Sequence, residues 1–140
     1  MKVNISKATK EEIASFDERA WRGEDLEHYG EPVNWVKKDF IFKATEDGKI
    51  VGVIKGKFEA GVVYISTIII AKDKRRQGIG KMLVKRAEKF GKYLGAHKVF
   101  LFTIEEWNAS RFYEKLEYKK TGDLPNHYLK RDFVIYSKSI

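Results

Sequence analysis

The 140-residue chain has no cysteine, two prolines and three histidines. Without cysteine it can have no disulfide framework, thiolate metal site or cysteine nucleophile, so acyl transfer through a cysteinyl enzyme is excluded. Three scattered histidines do not make a zinc site, and no metal is expected. No apolar run approaches the roughly 20 residues of a membrane-spanning helix. The start, Met1-Lys2-Val3-Asn4, lacks the apolar core of a secretory signal. These absences predict a cytoplasmic protein with no membrane partner. Repeats, low-complexity tracts and linker-like runs are also missing, which predicts a single domain over residues 1–140.

What remains can build a core: 43% of residues are hydrophobic and 14% aromatic. Lys and Arg number 28 against 20 acids, for a formal net charge of +8. A basic balance raises nucleic acid as a partner. The cations are spread along the whole chain with no basic tail, so a solvated surface is the better account. One local cluster stands out, Lys72 to Lys81.

That cluster contains Arg75-Arg76-Gln77-Gly78-Ile79-Gly80. It follows the apolar run Ile65-Ser66-Thr67-Ile68-Ile69-Ile70-Ala71. It opens a helical pattern in which Ile79, Met82, Leu83, Ala87, Phe90 and Leu94 share one face. A strand thus runs into a basic, glycine-bearing turn and then into a helix N-terminus. The first backbone N–H groups of a helix have no internal partner, and its dipole favours negative charge there. Gly78 and Gly80 let the turn be sharp and let a phosphate approach its amides. The spacing is neither a dinucleotide fingerprint, which needs a third glycine, nor a nucleotide P-loop, which ends in Gly-Lys-Ser/Thr. Taken alone, the segment is also compatible with a plain tight turn between strand and helix.

Downstream lie a second strand-like run, Val99 to Ile104, and a short helical segment, Ala109-Ser110-Arg111-Phe112-Tyr113-Glu114-Lys115-Leu116, leading into Glu117-Tyr118. The order strand, Arg-x-x-Gly-x-Gly, long helix, strand, Phe-Tyr-Glu-Lys-Leu-x-Tyr resembles the GNAT superfamily of acetyl-CoA-dependent N-acetyltransferases. The resemblance covers residues 40–138. It implies that the turn, Arg75 to Lys81 (Arg75, Arg76, Gln77, Gly78, Ile79, Gly80 and Lys81), binds the coenzyme A pyrophosphate. It implies that backbone groups of Ile68, Ile69 and Ile70 hold the pantetheine arm. It implies that Tyr113 is the acid that protonates the departing thiolate. Asn108 is a further coenzyme contact by the same resemblance, and equally a cap for the following helix. Three places depart from the family pattern: Lys72 stands where many members have proline, Leu116-Glu117-Tyr118 replaces Leu-Gly-Phe, and Glu106 occupies the place of a frequent asparagine.

The fold this implies is α/β, a mixed and mostly antiparallel twisted sheet of six to seven strands with about four helices on both faces. Residues 1–6 read as a first strand. Thr9 and Glu12 form a capping box that starts a helix running past Trp21. Gly23 to Pro32 reads as an acidic loop or a broken second helix, a candidate wall for a cationic acceptor. Strands follow at Asp39–Ala44, Ile50–Phe58 and Val62–Ala71, with a hairpin turn at Glu46–Lys49. Tyr118–Thr121 and Tyr128–Ser137 close the sheet around a Gly122–Asn126 loop.

Acetyl transfer to an amine needs the thioester held and polarised, the amine deprotonated and the thiolate protonated. A backbone N–H near Ile68 to Ile70 can polarise the carbonyl. The strand before the turn offers Tyr64, Ser66 and Thr67 but no carboxylate, so a water relayed through Ser66 or Thr67 is the expected route for the amine proton. Glu59, Glu105 and Glu106 read as surface carboxylates. By the resemblance, His127 and Tyr128 fall where the family lines its acceptor pocket, and imidazole in general changes charge near neutral pH. The predicted co-substrate is acetyl-CoA. The predicted partner is a small-molecule or peptide amine, such as a peptide N-terminus or a lysine. The resemblance also allows a homodimer through the last strand. Two other classes stay open at this point, a non-catalytic coenzyme A-binding regulatory module and a basic nucleic-acid-binding protein.

Overall fold

A computed structural model describes residues 2–105 and 109–140. The chain divides into two compact units, 1–35 and 36–140. The first unit is one helix and its flanks. Helix α1 spans Lys10–Tyr29 and begins as the capping box predicts. Glu12 N–H donates to Thr9 Oγ1 at 3.2 Å, and Thr9 N–H donates to Glu12 Oε2 at 2.6 Å. Residues 2–9 form no strand, contrary to expectation. A strand needs a neighbour to pair with, and this helical unit supplies none. The segment from Gly23 is neither a loop nor a broken second helix as far as Tyr29, for α1 runs unbroken to that residue and only Gly30 to Pro32 lie beyond it. Pairs at i, i+4, Arg22–Glu18 and His28–Glu24, both 3.0 Å, support the helix on either side of Gly23. Gly30, with φ +76°, ends it by donating to Leu26 O at 3.0 Å. Asp25 is buried and accepts a hydrogen bond from Trp35 Nε1 at 2.8 Å.

The second unit holds a six-stranded sheet: β1 (Lys38–Glu46), β2 (Lys49–Glu59), β3 (Val62–Ile70), β4 (Lys98–Ile104), β5 (Lys119–Leu124) and β6 (Phe133–Ser139). The strand order is β1-β2-β3-β4-β6-β5, and only β3 and β4 run parallel. Two hairpins turn on Asp47-Gly48 and Ala60-Gly61, with positive φ at both central positions of each, as type I′ turns require. Helix α2 (Ile79–Tyr93) crosses from β3 to β4, and helix α3 (Ser110–Lys115) precedes β5. The described residues therefore hold three α-helices, against about four expected. The last two strands also shift: β5 runs on through Gly122, and β6 starts at Phe133 because a short 3-10 turn, Tyr128–Lys130, takes the expected beginning of that strand.

The core lies between the sheet and α2. Val63 and Ile65 of β3, Val99 and Leu101 of β4, and Leu83, Val84 and Ala87 of α2 are all buried. Alternation along the strands sends their intervening neighbours, Tyr64, Phe100 and Phe102, to the other face. There they stack, with Tyr64 4.9 Å from Phe100 and 5.6 Å from Phe102 between ring centroids. Gly91 lets α2 approach β3 closely; a Cβ there would lie 2.5 Å from Val63 Cγ2. The close approach fixes where the N-terminus of α2 points.

Candidate active site

Strands β3 and β4 pair over three residues only, from Val62↔Lys98 to Tyr64↔Phe100. Beyond that they separate. The cause is local: Lys55 pairs with Thr67 and Gly56 with Ile65, so Ser66 is an extra residue that bulges β3. The Ser66 hydroxyl secures the bulge by donating to Lys55 O at 3.1 Å. From Ile65 to Ile70 the edge of β3 that would face β4 is thus left without a strand partner. The opening is a cleft of about 750 Å³. Ile65 to Ile70 form one side, Leu101 to Thr103 the other, and Gly80, Phe112 and Tyr113 the end.

At the head of the cleft lies the basic turn. Gly78 is the N-cap of α2, with φ +83° and no side-chain cap bond, so the first amides of the helix stay available to an anion. A Cβ on Gly78 would meet nothing within 4 Å, and one on Gly80 would lie 3.1 Å from the Phe112 ring. The first glycine faces open space and the second faces packing. Arg76 holds φ +63°, a left-handed conformation unusual for arginine, which stores strain in the turn. Arg75 ties the turn to the strand through Nε, which donates to Ile70 O at 3.2 Å. Lys74 is drawn away, to Glu46 Oε1 at 2.8 Å. Arg76 and Lys81 have no ion-pair partner among the described residues.

Tyr113 lines the cleft beside Phe112. It is buried, stacks on Tyr136 at 5.8 Å, and meets Tyr118 and Phe112 edge-on at 5.9 and 5.0 Å. Burial raises its hydroxyl pKa to about 12 by penalising the phenolate. The hydroxyl is therefore a neutral donor throughout the working range of an enzyme. Beneath it Tyr118 donates to the buried Glu88 Oε2 at 2.8 Å, and Lys138 Nζ reaches the same oxygen at 3.2 Å. Desolvation and the Glu88 charge both push the Tyr118 hydroxyl upward.

The structure thus brings Ile68, Ile69, Ile70, Arg75, Gly80 and Tyr113 to one cleft, with Gln77, Gly78, Ile79 and Lys81 in the turn and first helical turn at its head. Asn108 and Glu106 lie outside the described residues. The acidic segment 24–31 is the last part of α1 and its cap, in the first unit. Phe112, the first residue of the second motif, and Phe102 line the cleft; only the alternation of β4 could have pointed to Phe102. The lining includes no carboxylate among the described residues.

Comparison with known proteins agrees with this architecture. An uncharacterized N-acetyltransferase of Methanocaldococcus jannaschii is 29% identical over 90 residues, a match covering 63% of this chain and 58% of that protein. The chain thus spans less than two thirds of that relative's length. An acetyltransferase from Bacillus cereus superposes with a TM-score of 0.76 over 99% of this chain and 98% of its own, at 19% identity. A GNAT family acetyltransferase from Elizabethkingia anophelis, solved with acetyl-CoA bound, superposes with a TM-score of 0.66 over 71% of this chain and 75% of its own, at 17% identity. These two similarities show the fold. The family model for the Acetyltransferase (GNAT) family matches residues 8–118, across the basic turn and the Phe112-Tyr113 helix, and the chain belongs to that family.

Proposed function

We propose that the protein is an N-acetyltransferase that moves acetyl from acetyl-CoA to a primary amine, by direct attack within a ternary complex. The observation that carries this is the parting of β3 from β4 directly in front of an uncapped helix N-terminus, with a neutral tyrosine lining the same opening. In this reading the free edge of β3 at Ile68 to Ile70 hydrogen-bonds the pantetheine amides, and one of its N–H groups polarises the thioester carbonyl. The amides of Gly78 to Lys81, with Arg76 and Lys81, take the pyrophosphate. Tyr113 hands its proton to the sulfur as the C–S bond breaks. Most of the acceleration comes from holding two reactants in register.

The acetyl-CoA bound to the Elizabethkingia anophelis protein supports the choice of co-substrate. The family match runs through residue 35, which supports reading both units as one domain. The acceptor is a peptide N-terminus, a lysine or a small amine, met in the cytoplasm where the cosubstrate is available. Calorimetric titration with acetyl-CoA, followed by thiol release with a panel of amines and N-terminal peptides, tests the reading. Binding with amine-dependent release is the expected result. Binding without release from any amine would favour a regulatory coenzyme A-binding module, and absence of binding would overturn the assignment.

A further inference from the structure

The cleft poses a chemical problem. Among the described residues its lining offers donors and hydroxyls but nothing that can keep a proton taken from an ammonium group. Ser66 and Thr67 can pass a proton along; neither can hold it near neutral pH. The Tyr64 hydroxyl is pushed up by desolvation and by Tyr128, and the Tyr113 hydroxyl by burial, so both stay protonated donors.

The other face of the sheet supplies what is missing. Phe102 lines the cleft and also meets the His127 ring edge-on, at 5.5 Å between centroids. Tyr128 and Phe133 close around the same ring, at 4.3 and 5.2 Å. Within this aromatic surround the His127 Nε2 is buried and has no hydrogen-bond partner among the described residues. A buried imidazole nitrogen left unpaired is costly, because its lost hydration is not repaid by a hydrogen bond. The loop backbone that carries the ring is tied in place. His127 N–H donates to Arg131 O at 2.7 Å, Lys130 N–H donates to His127 O at 3.0 Å, and Asn126 N–H donates to Asp132 Oδ1 at 2.8 Å. Asn126, Leu129 and Lys130 all carry positive φ, between 50° and 60°. Strain of this kind persists only where surrounding structure enforces it, and it concentrates at functional sites.

We propose that His127 accepts the proton of the acceptor amine on Nε2, directly or through one water, from the face of the sheet opposite α2. The role rests on the transferase reading above. The ammonium gives one proton to Nε2, and the freed lone pair attacks the thioester carbon. A C–N bond forms and the tetrahedral oxyanion collapses. The C–S bond breaks with its electron pair on sulfur, which takes the Tyr113 proton. The second N–H proton passes through solvent to the Tyr113 phenolate, and His127 returns its own proton to solvent. One proton is released per acetyl transferred. The titratable groups around His127 are Tyr64 on β3, Glu105 at the end of β4 with its partner Lys120 on β5, and Tyr128, Lys130, Arg131 and Asp132 along the loop into β6.

Gln in place of His127 keeps a hydrogen-bonding side chain of similar reach that cannot hold a proton. The test measures acetyl-CoA affinity, and kcat and KM for the best amine across about pH 6 to 9.5, for wild type, His127→Gln and His127→Ala with and without added imidazole. The expected result is a fall in kcat of roughly a hundredfold or more for both variants, with acetyl-CoA affinity within about twofold. The wild-type loss of activity on the acid side should disappear, and imidazole should partly restore His127→Ala. Retention of kcat and of the acid-side loss by His127→Gln would overturn the assignment, as would an equal loss of acetyl-CoA affinity, which marks a structural role. A wild-type protein that binds acetyl-CoA and acetylates no amine would instead remove the transferase reading, and the His127 role with it.

Discussion

Glu117 carries φ +71° immediately after α3, in the left-handed region where a side chain is strained. This is the middle residue of Leu116-Glu117-Tyr118, where the family resemblance supplies glycine. Tyr118 N–H closes the same turn on Tyr113 O at 3.0 Å. Glu117→Gly should therefore raise stability by about 1 kcal/mol, read as a shift in the urea midpoint, with the position of Tyr113 unchanged. Tyr113 itself supports two expectations. Tyr113→Phe removes the proton donor while keeping the ring contacts, so kcat should fall by roughly a hundredfold or more while acetyl-CoA affinity changes little. Equal losses in both would mean that the hydroxyl serves binding. The raised hydroxyl pKa also has a stability consequence with a defined sign. Folding favours the protonated phenol, so the contribution is complete below the ordinary tyrosine value of about 10. It is lost as pH rises from there through about 12, an effect on the order of 2–3 kcal/mol. Denaturation midpoints at about pH 9 and 11.5 should fall further in wild type than in Tyr113→Phe, because phenylalanine has nothing to titrate.

At the scale of elements, the basic turn and α2 were legible because their signals are local: an apolar run, two glycines, and a face repeating at helical spacing. The Thr9 capping box and the hairpin turn at Glu46–Lys49 were legible for the same reason. The failures were also physical. A strand at residues 1–6 depends on a partner that sequence cannot show. Gly23 inside α1 weakens a helix by about 1 kcal/mol, yet the flanking i, i+4 side-chain pairs and the Gly30 cap hold the helix through it. Leucine at 129 gives no warning of a φ of +54°, so the loop that displaces the start of β6 could not be read from residue types. The bulge at Ser66, which opens the cleft, likewise depends on register and leaves no mark in the sequence. Gly78→Glu tests the turn as an element. The position is open, so the fold should survive with a cost of about 1–2 kcal/mol for a side chain at positive φ. A carboxylate aimed at the anion site should reduce acetyl-CoA affinity by more than tenfold. Unchanged affinity in calorimetry would show that the pyrophosphate does not bind there.

Across the whole second unit, the sheet is two three-stranded halves, β1-β2-β3 and β4-β6-β5, whose backbones pair directly over three residues. Local patterning showed β1 to β4 in order but not this seam, because pairing extent is a property of register. The seam also has a place in the thermodynamics of binding. Amides along Ile65 to Ile70 on the free edge of β3 should exchange with solvent faster than those of β2, and should slow on addition of acetyl-CoA if the pantetheine arm pairs with them. Hydrogen exchange resolved by peptide or residue measures this directly. Protection confined to the basic turn would mean that only the phosphates are gripped. Protection along β3 would mean that the cosubstrate acts as a temporary seventh rung, splinting two half-sheets that the polypeptide alone leaves joined at one end like the arms of a pair of tongs.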